Sequence, residues 1–163
     1  MSALRAVNGA LSWLSTQTRP DIAVQTSQSQ QCFPRPTIFD LLQANQAVRR
    51  ARQQSDLRIR VPFIPPNELT LCFWSDAAFA NTDELKTQGG WMVGFTSNRM
   101  RQGADVPVHC FSWKSHRLPR VVASTMGGEA QAYSTAAGVC EWIALMTAEC
   151  FCLLYTSPSP RDA

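Results

Sequence analysis

The chain has 163 residues, 45% of them hydrophobic, and a formal net charge of +3. That is one domain, or one domain plus an appendage, with apolar material enough for a core and a charge whose sign permits a polyanionic partner without requiring one. No run of about 18 apolar residues is present and the start lacks a basic, then apolar, secretory leader, so neither a membrane-spanning helix nor a membrane partner is expected.

Leu4, Val7, Leu11 and Leu14 recur at helical spacing and predict a first amphipathic helix. The run Thr18-Arg19-Pro20-Asp21 breaks it, with Asp21 placed to cap a second helix. Gln25 to Gln31 is polar, helix-compatible and weakly patterned. A Pro-rich break from Cys32 to Pro36 follows, and Thr37 is placed to cap a third helix with Ile38, Leu41, Leu42 and Val48 along one side. Arg49, Arg50 and Arg52 crowd its C-terminal end, where they complement the helix dipole or reach phosphates. Pro62, Pro65 and Pro66 make 55–69 a stiff, extended linker between a helical segment, 1–54, and a second unit, 70–151.

Thr70 to Ser75 reads as a strand rich in β-formers. A polar loop is expected over Asp76 to Gln88, a second strand over Gly89 to Ser97, a turn to Asp105 and a third strand over Val106 to Trp113. Lys114 to Arg120 is expected as a basic loop. From Ser124 to Phe151 comes a long Ala-rich helix whose Tyr133, Val139, Trp142, Ile143, Leu145 and Met146 spread around most of its circumference, the pattern of a buried helix. Strands this close together form an antiparallel meander, so the expected class is α/β of the α+β type: an N-terminal helical segment, a three-stranded antiparallel meander and a buried helix. Cys152 to Ala163 has no period and carries Pro158 and Pro160. It reads like one translated frame of a sequencing adapter, a library-derived scar that cuts the natural frame near Phe151; the alternative is a natural disordered terminus.

The six cysteines, Cys32, Cys72, Cys110, Cys140, Cys150 and Cys152, form no Cys-x-x-Cys pair, and the two histidines complete no zinc pattern. Cys72, Cys110 and Cys140 sit in apolar segments, which predicts buried free thiols and suits a reducing compartment.

Two acids stand where the local pattern calls for apolar residues: Asp76 after the first strand and Glu129 at the opening of the long helix. Burying an unpaired carboxylate costs several kcal/mol, so a cation, hydrogen bonds or solvent access must offset it. Taken alone, Glu129 reads as a complement to its own helix end and Asp76 as a turn residue. Together, two facing carboxylates can bind Mg²⁺ through oxygen, and paired ions drive phosphodiester cleavage. Lys114, Arg117 and Arg120, with Trp113, suit a phosphate backbone or a solvated loop equally. Ser124 and Thr125 suit backbone contacts or helix capping.

The motifs, in order, resemble the end of the polymerase polyprotein of copia-type LTR retrotransposons. Gly9 to Ile22, with Thr18-Arg19-Pro20-Asp21-Ile22, is similar to the stretch after the reverse transcriptase palm. Trp74-Ser75-Asp76-Ala77-Ala78-Phe79-Ala80, then Thr87-Gln88-Gly89-Gly90-Trp91, then Ser112-Trp113-Lys114-Ser115 through Ser124-Thr125 to Glu129 follow the family's later motifs over nearly all of Leu4 to Ala148. The resemblance implies reverse transcriptase thumb or connection helices joined to an incomplete RNase H-like domain. Asp76 and Glu129 would be its first two metal-binding catalytic acids, holding Mg²⁺ or Mn²⁺ for hydrolysis of RNA in an RNA–DNA hybrid. Partners would be that hybrid and the rest of the polyprotein, inside a cytoplasmic particle or the nucleus. Gly127 stands where the family often has an acid and Ala78 where it has an aspartate, neither a core ligand. The family's third acid, on a following Thr-Asp strand, has no counterpart before Cys152, and Asp162 falls in the scar. The expectation is a nuclease fragment with little or no activity; the alternatives are a non-catalytic nucleic-acid-binding module and a non-functional remnant.

Overall fold

The computed structural model describes residues 2–33, 35–80 and 86–151. The tail from Cys152 onward, with Asp162, lies outside them, as does 81–85 of the expected loop. Three helices come first: α1 (Ser2–Gln17), α2 (Ala23–Gln31) and α3 (Ile38–Gln53). The stripe on α1 does what its spacing predicts, burying Leu4 and Leu11 against Ile22, Ala44 and Ala47. Asn8 and Ser29 seal α1 to α2 through reciprocal buried hydrogen bonds of 3.0 and 2.7 Å.

The third helix starts as expected, with Thr37 and Asp40 forming a capping box. Its inward face differs in part from the expected one, although Val48 packs against the core. Ala44 and Ala47 are buried, while Ile38 and Leu42 are 79% and 55% exposed. Where helices pack this closely only small side chains fit between them, so the alanines took the inward side.

Asp21 does not cap α2. A short 3₁₀ turn, Pro20–Ile22, intervenes. The Asp21 carboxylate instead accepts two hydrogen bonds from Arg19, Nε to Oδ1 at 2.7 Å and Nη2 to Oδ2 at 2.9 Å. Arg19, itself buried, also donates to the Ala51 carbonyl at 2.9 Å. Fork-to-carboxylate pairing outcompetes a single cap bond, and it ties the end of α3 to the break after α1.

The second unit is an antiparallel meander, β1 (Leu69–Ala78), β2 (Gln88–Ser97) and β3 (Val108–Arg117), in the order β1-β2-β3. The α4 helix (Thr125–Cys150) follows. The α+β arrangement of a three-stranded sheet followed by a helix is as expected. The strands are longer than their β-former runs: Asp76 pairs with Gly90, Lys114 with Trp91 and Arg117 with Gln88. Ladder hydrogen bonding overrides the turn preference of Asp76 and straightens half of the expected basic loop into β3.

Strand alternation divides the sheet. Phe73 and Val93 belong to the face under α4, where the Phe73 and Tyr133 rings lie 5.3 Å apart. Trp74, Met92 and Trp113 belong to the other face. There Trp113 Nε1 donates to the Ser15 carbonyl at 2.6 Å. Gln88 on that face donates to Ser27 Oγ at 2.9 Å and accepts from Gln31 Nε2 at 2.9 Å. The helical segment therefore rests on the sheet.

The α4 helix is not buried all round. Gly128, Ala132, Ala136 and Ile143 are buried, but Trp142 and Leu145 are 61% and 58% exposed. A helix needs a layer on each side to hide its whole circumference, and among the described residues the sheet covers one side only. Cys72 is buried and desolvation pushes its thiol up to about 11, so it is unreactive near neutrality. Cys110 and Cys140 are half-buried, and all the described cysteines are free. Among the described residues no helix is long and apolar enough to cross a membrane.

The Arg19 clamp yields a stability prediction. Arg19→Ala leaves Asp21 half-sequestered without its fork and should cost about 3 kcal/mol in urea unfolding. The Arg19 hydrogen bond holds the Asp21 carboxyl below its ordinary value, against an opposing effect of desolvation. The folded-state value is depressed, so this stabilisation is complete above about pH 4 and is lost as pH falls below that through the folded value. Asp21→Asn should flatten that part of the stability–pH curve.

Candidate carboxylate site at the end of the first strand

Ser124 opens α4 by accepting from the Gly127 amide at 3.2 Å. Its hydroxyl is thus occupied as a helix cap. Gly128 comes next against the sheet: a Cβ there would lie 3.2 Å from Thr87 Cγ2 and 3.4 Å from Ala77 Cβ. Only a residue without a side chain lets the helix lie this close to β1.

That approach places Glu129. Its Oε1 accepts a hydrogen bond from the Ala77 amide at 3.3 Å. Among the described residues β1 is an edge strand, and alternate amides along an edge point away from the neighbouring strand. Glu129 satisfies one of them. It lies beyond the first turn of α4 and does not cap its own helix.

The Ala77 nitrogen is the peptide nitrogen that follows Asp76, so the two acids meet at one end of β1 from opposite sides. Glu129 arrives from the α4 face. Asp76 belongs to the face of Trp74 and Ala78 and lines a cleft of about 290 Å³ between the sheet and the start of α2. Both acids are exposed. The expectation that both acids are buried is therefore corrected. Of the three ways of offsetting burial, solvent access applies to both, with a hydrogen bond added for Glu129, because one acid sits on an edge strand and the other reaches round that edge.

The five residues expected at a nucleic-acid backbone, Lys114, Arg117, Arg120, Ser124 and Thr125, are all exposed. They do not form one stripe. Lys114 pairs with Trp91 and Arg117 with Gln88, so the two cations lie on opposite faces of β3. Arg120 stands in the turn before α4, where its carbonyl accepts from Gln131 Nε2 at 3.4 Å. The register nevertheless runs Ala78–Gln88–Arg117 across the sheet, next to Asp76–Gly90–Ser115. Acids and Arg117 therefore share one end of the sheet, with Arg117 about two strand spacings, roughly 10 Å, from the acid edge. Burial, and after it the Lys114 charge, pulls the His116 imidazole down, so His116 adds no positive charge here near neutrality.

Sequence reasoning missed the cleft itself. Its signal is period-two alternation, Trp74 with Asp76 on one strand and Trp113 with Ser115 on another, and strands predicted to end at Ser75 and Trp113 break both pairs.

For a metal, the fit is partial. Among the described residues no three His, Cys, Asp or Glu side chains gather in a way that could hold an ion. Asp76 and Glu129 are the pair that would hold one Mg²⁺, which commonly takes one or two carboxylates and keeps several waters. No protein-family profile matches the chain, and neither the curated proteins nor the solved structures contain a significant relative.

Removing the Glu129 carboxylate should free the Ala77 amide. In Glu129→Ala, hydrogen exchange at that amide is expected to rise severalfold while the amides of Val93 and Gly94 in the central strand keep their protection. Unchanged exchange at Ala77 would show that the contact does not persist in solution.

Proposed function

We propose that the sheet and α4 are the metal-binding part of a ribonuclease H-type domain from a retrotransposon polyprotein, acting on the RNA strand of an RNA–DNA hybrid. The observation that carries this reading is the Glu129 carboxylate on the amide next to Asp76. It brings a helix acid and a strand acid to one exposed edge, where a phosphodiester can reach them. Asp76 and Glu129 would hold Mg²⁺ or Mn²⁺. When bound, such an ion activates water and stabilises the leaving oxygen. Arg117 and Arg120 would draw the backbone toward the acid edge, and Lys114 would hold it from the α4 face, each contributing to a salt-dependent affinity. Thr125, at the exposed start of α4, is available to a phosphate, whereas Ser124 is spent on the cap.

Two carboxylates make a weak metal site, so the chain itself is expected to cleave poorly. The second reading, a nucleic-acid-binding module without catalysis, is favoured by the same shortage of acids beside exposed cations.

Cleavage of a labelled RNA–DNA hybrid in Mg²⁺ separates the two. The chain alone should give traces of product. A version in which a strand bearing a third acid follows residue 151 should cleave about 100-fold faster, and Asp76→Asn or Glu129→Gln should each remove that gain. Salt-dependent hybrid binding with no cleavage in either version supports the binding module. Robust cleavage that ignores both substitutions would sink the nuclease assignment.

A further inference from the structure

The cleft beside Asp76 has a defined construction. Its wall is a row of large side chains across the three strands, Trp74, Met92 and Trp113. Trp113 is pinned by its hydrogen bond to the Ser15 carbonyl, and Trp74 is 45% exposed. The next row is Asp76, Gly90 and Ser115. Gly90 leaves that row hollow: a Cβ there would meet only the Lys114 carbonyl, at 3.6 Å. Val24, from α2, forms part of the opposite wall. The result is a slot with aromatic surface along one side and an acceptor-only carboxylate at one end.

Within the slot, Asp76 is the one acidic side chain, and it forms no ion pair among the described residues. Arg117 stands on the same face one row further on and is exposed. Aromatic side chains stack on nucleobases irrespective of sequence. A carboxylate adds selection, because its two oxygens accept two parallel N–H bonds. Guanine offers two adjacent N–H donors, on N1 and the 2-amino group, whereas uracil offers one. A neighbouring arginine suits the phosphate of the same nucleotide and disfavours a simple organic cation.

We propose that this cleft binds an unpaired guanine, stacked along Trp74 with its N1–H and 2-amino group on the Asp76 carboxylate and its phosphate toward Arg117. The inference rests on the nucleic-acid reading above for where the base comes from, and on the cleft for how it is held. A divalent ion on Asp76 would compete with the base, so the test is made in EDTA.

Equilibrium dialysis of the full chain against GMP, IMP and UMP tests it. GMP should bind about tenfold tighter than UMP, and IMP, which lacks the 2-amino group, should fall between them. Asp76→Asn should abolish the preference while keeping weak binding of all three, and Trp74→Ala should weaken all three together. Circular dichroism confirms that each variant is folded. Equal binding of GMP and UMP, a preference that survives Asp76→Asn, or no nucleotide binding would each overturn the proposal. Glu129→Gln separates this from the nuclease reading: it should remove the metal-dependent cleavage gained by the extended version and leave the GMP preference of the chain intact.

Discussion

Two glycines let α4 and the chain leading into it lie close on the sheet, and the position of Glu129 follows from that approach. A Cβ on Gly128 would press on Thr87 and Ala77, and a Cβ on Gly89 would come within 2.5 Å of Leu118 Cδ2. Leu118 is buried, so it cannot swing aside at low cost. Glycine weakens a helix by about 1 kcal/mol relative to alanine, and Gly127 and Gly128 stand together in the first turn. That cost is offset by the contact it allows, through which α4 delivers Glu129 to the strand edge. On the opposite face, Gln88 and Trp113 anchor the sheet to the helical segment through Ser27, Gln31 and Ser15. The strands are thus gripped from both sides at the end where the acids lie.

Successive residues of a strand point to opposite faces, and this shapes what the two acids can do together. Ala77 faces α4 and Asp76 faces away from it. A helix lying on one face can approach a side chain on the other only at an edge. Glu129 does so through the Ala77 amide, which β2 leaves free. That edge is open to water and to a long polymer, unlike an enclosed pocket.

The α1 helix is legible from its period, α3 from its cap, and the meander from runs of β-formers set close together. Leu4 and Leu11 marked the core of the helical segment, and Thr37 marked the start of α3. Strand ends were less legible. Asp76 has the chemistry of a turn residue, and only its partner Gly90, 14 positions away, shows that the strand continues. Burial was the poorest inference. The aromatic and aliphatic residues around α4 predict cover on all sides, yet apolar composition records a preference and not the presence of a second layer. Likewise Ile38 and Leu42 outrank Ala44 and Ala47 in hydrophobicity, but tight helix crossing selects by size. The Arg19–Asp21 fork was hidden because capping and ion pairing use the same carboxylate, and nothing local says that Ala51 will bring α3 alongside. For the site, residue identity was readable from motif order, whereas the face each residue occupies was not.

With both acids in water, the folding energy places no demand on them: neither pays a burial cost that a cation must offset. Placement, and not folding energy, is what a phosphate-directed role would rest on. A net charge of +3 is too diffuse to matter at a distance. Arg117, however, lies roughly 10 Å from the Asp76 edge across the sheet, and the Debye length at physiological salt is about 8 Å. At that separation the carboxylates scarcely diminish the attraction of Arg117 for a phosphate, and Arg117 scarcely neutralises them. An acid edge and a basic corner can then act independently on one polyanion, with about three base steps of helix axis between them. Had Arg117 been a direct ion-pair partner of Asp76, each would have cancelled the other and the end of the sheet would hold no functional asymmetry.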